Sequence, residues 1–299
     1  MENKVTPRFR FPSYVNLKRH LGEYDALVEL NELAVRSLLH RIKGEPQKLL
    51  KDESEQHQIR VDHNEQLTDE SFAARRTQFY VLSVYQQAEQ FFYDLVNDLP
   101  QGDRWKKASG SIARGNDEAE LDWIIRITKK ELPDAIDEKE DSDFFDDVSV
   151  FTYFRLVRNA FMHEGKETRQ LKNYRDKLQQ RHNDLVVRPA AAPKNARARP
   201  FVVPNAYDKL QFSDFILFTR VVKSVAARLC GALKPELDVL LKHRFSQERH
   251  YGLRKFLTND TRFASACKTR LTIDYNLTAE EISYSIPVVK LLISAASTR

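Results

Sequence analysis

The chain has 299 residues, of which 41% are hydrophobic and 10% aromatic, enough to bury a core, so global disorder is excluded. The formal net charge is +5, and only 8 residues are glycine, which favours helices joined by polar loops over a turn-rich sheet. Two distant cysteines, Cys230 and Cys267, exclude a disulfide framework and a CxxC zinc pattern.

Met1 to Phe11 is charged and interrupted by proline, without the apolar stretch of a signal peptide. No run approaches the ~18 apolar residues of a membrane span. These features predict a soluble, cytoplasmic protein with two inert thiols.

Apolar residues at helical spacing (Leu27, Leu30, Leu33, Ala34, Val35, Leu38, Leu39) predict a helix over Tyr14 to Ile42. Lys43 to Asp69 is strongly polar and reads as a loop or a solvated helix. The longest helix is expected over Glu70 to Leu99, with the stripe Val81, Val84, Tyr85, Ala88, Phe91, Phe92, Leu95; Pro100 and Gly102 stop it. A shorter helix over Asp117 to Lys130 precedes Glu131 to Asp147, which carries nine acids and one lysine. That run reads as solvated rather than as a magnesium site.

Phe144 to Met162 predicts a second strong helix, ended by Gly165 at a capping position. Gln170 to Asp184 continues as a polar helix. Arg188 to Asn205 holds four prolines and an alanine run and reads as a flexible basic loop. Leu210 to Leu233 is a third strong helix, and three or four shorter ones follow to Arg299. In that last region, Leu241 to Arg270 has eight Lys or Arg against two acids, interleaved with Phe245, Tyr251, Phe256 and Phe263. Such a segment suits a polyanion, yet a solvated helix with core aromatics fits it equally well. His243 and His250 lack a third ligand and make a poor zinc site; no metal or cofactor is expected.

The segment that carries chemistry is Phe154-Arg-Leu-Val-Arg-Asn-Ala-Phe-Met-His-Glu-Gly165. Arg158 falls on the helical face of Phe151, Phe154 and Phe161. A guanidinium within an apolar stripe is costly to desolvate, so it is either pinned to a carboxylate or aimed at an anion. His163 comes five residues later, roughly 140° away around an unbroken α-helix. A helix end at Gly165 lets it swing back toward Arg158. A histidine can take or give a proton at a ribose 2′-OH or a leaving 5′-oxygen, and a fixed arginine can clamp the phosphate. The Asn159 amide stands ready to orient either group.

At these residues the chain resembles the HEPN superfamily, whose signature is an arginine, a polar residue and then a histidine after four to six positions, at a helix end. Upstream, Ser83 to Leu95 resembles the family's earlier long helix. There Glu89 lies on the face of Leu82, Tyr85, Phe92 and Val96, and its expected role is to orient Arg158.

The resemblance spans roughly Phe72 to Leu233. It implies an all-α fold with a HEPN-like helical bundle over residues 70–233, flanked by helical extensions over 1–69 and, more basic, over 234–299. It further implies a metal-independent endoribonuclease, homodimeric with a composite site, in a toxin or anti-phage role with an antitoxin or defence-system partner. Its site would comprise Arg158, His163 and Asn159, supported by Glu89. Lys166 and the loop cations Arg188, Lys194, Arg197 and Arg199 are the expected RNA contacts. The alternative is a non-catalytic RNA- or protein-binding module of a larger assembly.

Overall fold

The computed structural model describes residues 9–42, 46–58, 69–99, 118–138, 140–187, 201–245 and 251–296. Among them every regular element is a helix. None is long and apolar enough to cross a membrane. In chain order the elements are α1 (Pro12–Ile42), α2 (Pro46–His57), α3 (Asp69–Asp98), α4 (Glu120–Glu131) and α5 (Ser142–Asn159). A π-helical turn (Ala160–Glu164) follows, then α6 (Arg169–Val187), a 3₁₀ turn (Tyr207–Lys209), α7 (Phe212–Ala232), α8 (Leu237–Phe245), α9 (Tyr251–Arg254), α10 (Asp260–Tyr275) and α11 (Ala279–Ala296).

The helices group into two compact units, each built from separated stretches of chain. The first takes residues 1–18, 88–144 and 223–299; the second takes 19–87 and 145–222.

The first unit is centred on Phe91, Phe92, Leu95, Cys230, Phe245, Phe263 and Tyr275, each no more than 3% exposed. Phe9 meets Phe11 edge-on at 4.9 Å and stacks on Tyr275 at 6.1 Å. The start of α1 is capped from α3: the Ser13 amide donates to Asp98 at 2.7 Å, supplying a partner for a helix-end N–H that has none within α1. Burial pushes the thiol of Cys230 up to about 12 and that of Cys267 up to about 11, so both stay protonated and unreactive at neutral pH.

The second unit packs α3, α5 and α7 through aromatics. Phe154 stacks on Phe218 at 4.5 Å, Phe151 lies 5.7 Å from both Phe218 and Tyr85, and Tyr80 meets Phe215 at 5.7 Å. Burying each such side chain is worth about 1.5–3 kcal/mol.

In the part of α1 that belongs to this unit, Leu21, Val28 and Glu32 are buried, whereas Leu27, Leu30 and Leu33 are 63–66% exposed. The helical spacing of the leucines is real, but they are not the inward face. The inward stripe carries a carboxylate: Glu32 pairs with Arg76 Nε at 2.9 Å and Arg36 Nε at 2.8 Å, which compensates its desolvation. The segment leading into α7 is pinned by Asp214, 3% exposed, which accepts from the Asn205 amide, the Asn205 side chain and the Gln211 amide at 2.8–2.9 Å.

Three carboxylates of the acidic run are paired among the described residues. Glu138 binds Lys129 and Asp141 binds Arg228 in the first unit, and Asp146 binds Arg181 at 3.0 Å in the second.

Candidate functional site

The Arg158 motif sits where α5 stops being an α-helix. Phe151 and Phe154 are 2% exposed or less and fix the inward face of α5. Arg158, the next residue on that face, is half-buried one turn further on. Its Nη1 donates to the Asn159 side-chain oxygen at 3.1 Å, and its guanidinium carbon lies 5.6 Å from the centre of the Tyr85 ring. The buried Nε has no hydrogen-bond partner among the described residues. Within the second unit, the aromatic stripe therefore holds the guanidinium with an amide and a ring face, and no described carboxylate there pairs with it. That leaves donor capacity for an anion. Asn159 does what its position suggests and fixes the arginine.

Residues Ala160–Glu164 then form a wider π turn, closed by the Gly165 amide donating to the Ala160 carbonyl at 2.8 Å. Gly165 is left-handed, with φ 64°, a conformation that disfavours a side chain. An i→i+5 turn uses less rotation per residue than the about 100° of an α-helix, so the five residues from Arg158 to His163 come closer to one full revolution. The sequence predicts that a helix end brings the histidine back toward the arginine. The structure ends the helix in a π turn, a feature frequent at functional sites. His163 is exposed on this turn.

Two side chains of α3 that the sequence reading did not single out complete the local geometry. Arg75 donates from Nη2 to the Gly165 carbonyl at 3.2 Å, meeting an acceptor that the helix end leaves open, and its guanidinium carbon stands 6.0 Å from the Phe161 ring centre. Phe79 meets Phe161 edge-on at 5.0 Å and is 57% exposed. The order Tyr85–Arg158, Phe79–Phe161, Arg75–Gly165 shows α3 running antiparallel to the motif. An arginine and an aromatic one turn apart on a long helix were the only available signal, and that pattern is too common to stand out.

Of the other candidate residues, Lys166 is exposed just past Gly165. Glu89 is half-buried on α3, one turn beyond Tyr85, and belongs to the first unit. Arg188, Lys194, Arg197 and Arg199 lie outside the described residues. In the basic C-terminal segment, Phe245 and Phe263 are 1% exposed. Those two rings are core and offer no surface to a base, which decides between the two readings of that segment for both. Two of its cations are also engaged: Arg244 and Arg270 approach Asp274 at 3.8 and 3.5 Å.

No protein-family model, curated protein or solved structure matches the chain.

Proposed function

We propose that the chain is a metal-independent endoribonuclease built on a HEPN-like bundle, with Arg158, Asn159 and His163 as its site. The observation that carries this reading is a half-buried arginine, held by its neighbour's amide and a tyrosine face, one π turn before an exposed histidine. Arg158 clamps the scissile phosphate and opposes charge developing on its oxygens. An imidazole accepts the 2′-OH proton as the 2′-oxygen bonds to phosphorus; the bond from phosphorus to the 5′-oxygen breaks, and that oxygen leaves with a proton from an acid. The products are a 2′,3′-cyclic phosphate and a 5′-hydroxyl.

One motif histidine per chain supplies one of the two proton transfers, so the functional form is a homodimer in which His163 and the partner subunit's His163 share the work. Lys166 with the loop cations Arg188, Lys194, Arg197 and Arg199 neutralises the RNA backbone. A toxin or anti-phage role with a restraining partner fits such an activity.

The test is RNA cleavage in the presence of EDTA by the parent, Arg158→Ala and His163→Ala. General acid–base catalysis contributes typically about 10²–10⁴-fold, so each variant should lose at least about 100-fold. Unchanged cleavage in both removes the assignment and leaves a non-catalytic RNA- or protein-binding module.

A further inference from the structure

Beside the motif lies a patch with different chemistry. Phe79 carries 57% of its surface in solvent and Met162 carries 51%. Phe161 joins them, half-buried, edge-on to Phe79 at 5.0 Å and with the Arg75 guanidinium 6.0 Å from its centre. Arg75 is itself exposed and tied to the Gly165 carbonyl. The cluster is anchored at both ends: Phe161 belongs to the π turn between Arg158 and His163, and Gln78, next to Phe79, donates to the Tyr207 carbonyl at 2.9 Å from a buried position.

Leaving a phenylalanine and a methionine this open forfeits the free energy of burying them. The rings are flat; Arg75 stands exposed against the Gly165 carbonyl, and Lys166 and Arg169 are exposed in the chain that follows, with Glu164 and Glu167 among them. Aromatic faces set among cations are the ordinary means of gripping unpaired nucleotides: a base stacks on the ring while phosphates meet the cations. A base inside a duplex is stacked on both faces and cannot use such a platform.

We infer that Phe79, buttressed by Phe161 and Arg75, is a nucleobase-stacking subsite that holds the unpaired base of a nucleotide adjoining the phosphate at Arg158, and thereby selects single-stranded RNA. This rests on the proposed site for its position, and it concerns binding rather than the chemical step. Phe79 is a specificity-determining residue; Arg75 acts through Phe161 and Gly165 and is a positioning residue.

The experiment uses the full chain carrying His163→Ala, so that RNA stays intact, titrated at low salt with a fluorescent single-stranded oligoribonucleotide and with the same strand in a duplex. Adding Phe79→Ala should weaken single-strand binding about tenfold, the effect of removing one stacked base, and leave duplex binding unchanged. Phe79→Trp should hold or improve affinity. Phe79→Leu, apolar but without a π face, should behave like alanine. Replacing one nucleotide by an abasic one should weaken binding to the Phe79 protein and add nothing in the Phe79→Ala protein.

Binding by Phe79→Ala or Phe79→Leu equal to that of the Phe79 protein overturns the subsite, as does the absence of any single-strand binding. Failure of the nuclease reading shows separately, as unchanged cleavage by Arg158→Ala and His163→Ala, and a base-dependent loss at Phe79 would then still establish the subsite.

Discussion

Two regions of this molecule are rich in both arginine and aromatic residues, and they use them in opposite ways. In the first unit, residues 241–270 bury Phe245 and Phe263 to 1% exposure and bring Arg244 and Arg270 to Asp274. In the second, residues 158–166 and the facing turns of α3 leave Phe79 and Met162 open. There Arg158 is held by an amide and a ring, with one nitrogen unsatisfied among the described residues. Composition alone leaves the C-terminal segment open to either use, a polyanion grip or a solvated helix with core aromatics. The difference is that a buried ring stabilises a fold, whereas an open ring is free to meet a ligand.

The sharpest way to break this contrast is to exchange the expected consequences. Phe245→Ala or Phe263→Ala should cost about 3–5 kcal/mol of stability, the usual effect of emptying a core aromatic site, while single-strand RNA affinity at temperatures where the protein stays folded is unchanged. Urea denaturation with a parallel binding titration reads both; weaker binding by the folded variant would show that the basic segment does touch RNA. In the second unit the dependence runs the other way. Arg158→Lys keeps the charge but loses the planar fork and its contact with Tyr85, so cleavage should fall by about 100-fold with little change in melting temperature. Activity near that of the parent would mean that charge alone suffices.

Gly165→Ala sharpens the comparison within the motif itself. A left-handed alanine costs about 1 kcal/mol in thermal unfolding. Because the Gly165 amide closes the π turn, cleavage should drop by more than the stability change accounts for, most directly through kcat. Equal effects on folding and turnover would demote the turn to a simple helix end.

The smallest expected effect is a pH dependence confined to the first unit. Burial holds His243 below its ordinary pKa, neighbouring Arg244 lowers it further, and Asp98 partly opposes this. The folded chain then binds fewer protons than the unfolded chain between the two values. Stability is unaffected above about pH 6.5 and lost as pH falls from there through the depressed value. Melting curves from about pH 7.5 down to about pH 5.5 should show the loss, and His243→Gln should flatten it. An unchanged slope in that variant would place the titrating group elsewhere.

Much of the architecture was legible in the sequence because helix signals are local. The periodic stripes, the proline and glycine stops and the polar connections locate α1, α3, α5, α6 and α7 to within a few residues, and four helices follow Lys234. The polar stretch after Lys43 forms a helix over Pro46–His57, in keeping with a solvated helix. The helix that carries Arg158 and Asn159 ends before Gly165, where the glycine suggests.

What could not be read is which of two faces turns inward. On α1 the leucine-rich face points to solvent because Glu32, on the other face, meets Arg76 from α3, a partner 44 residues away. The π turn was also hidden, since it depends on one extra residue in a hydrogen-bonded ring and on Arg75 holding the Gly165 carbonyl across 90 positions.

By itself, then, the sequence determined that this chain is helical, where its longer helices run and which short segment carries an arginine and a histidine across a helix end, because backbone propensity, capping and periodicity act within a few residues. Only the tertiary structure decided that Phe245 and Phe263 are core, that Phe79 stays open beside the motif, and that Arg158 rests on Tyr85 and Asn159. Burial and pairing are properties of surfaces that meet, and residues far apart in the chain supply the two sides.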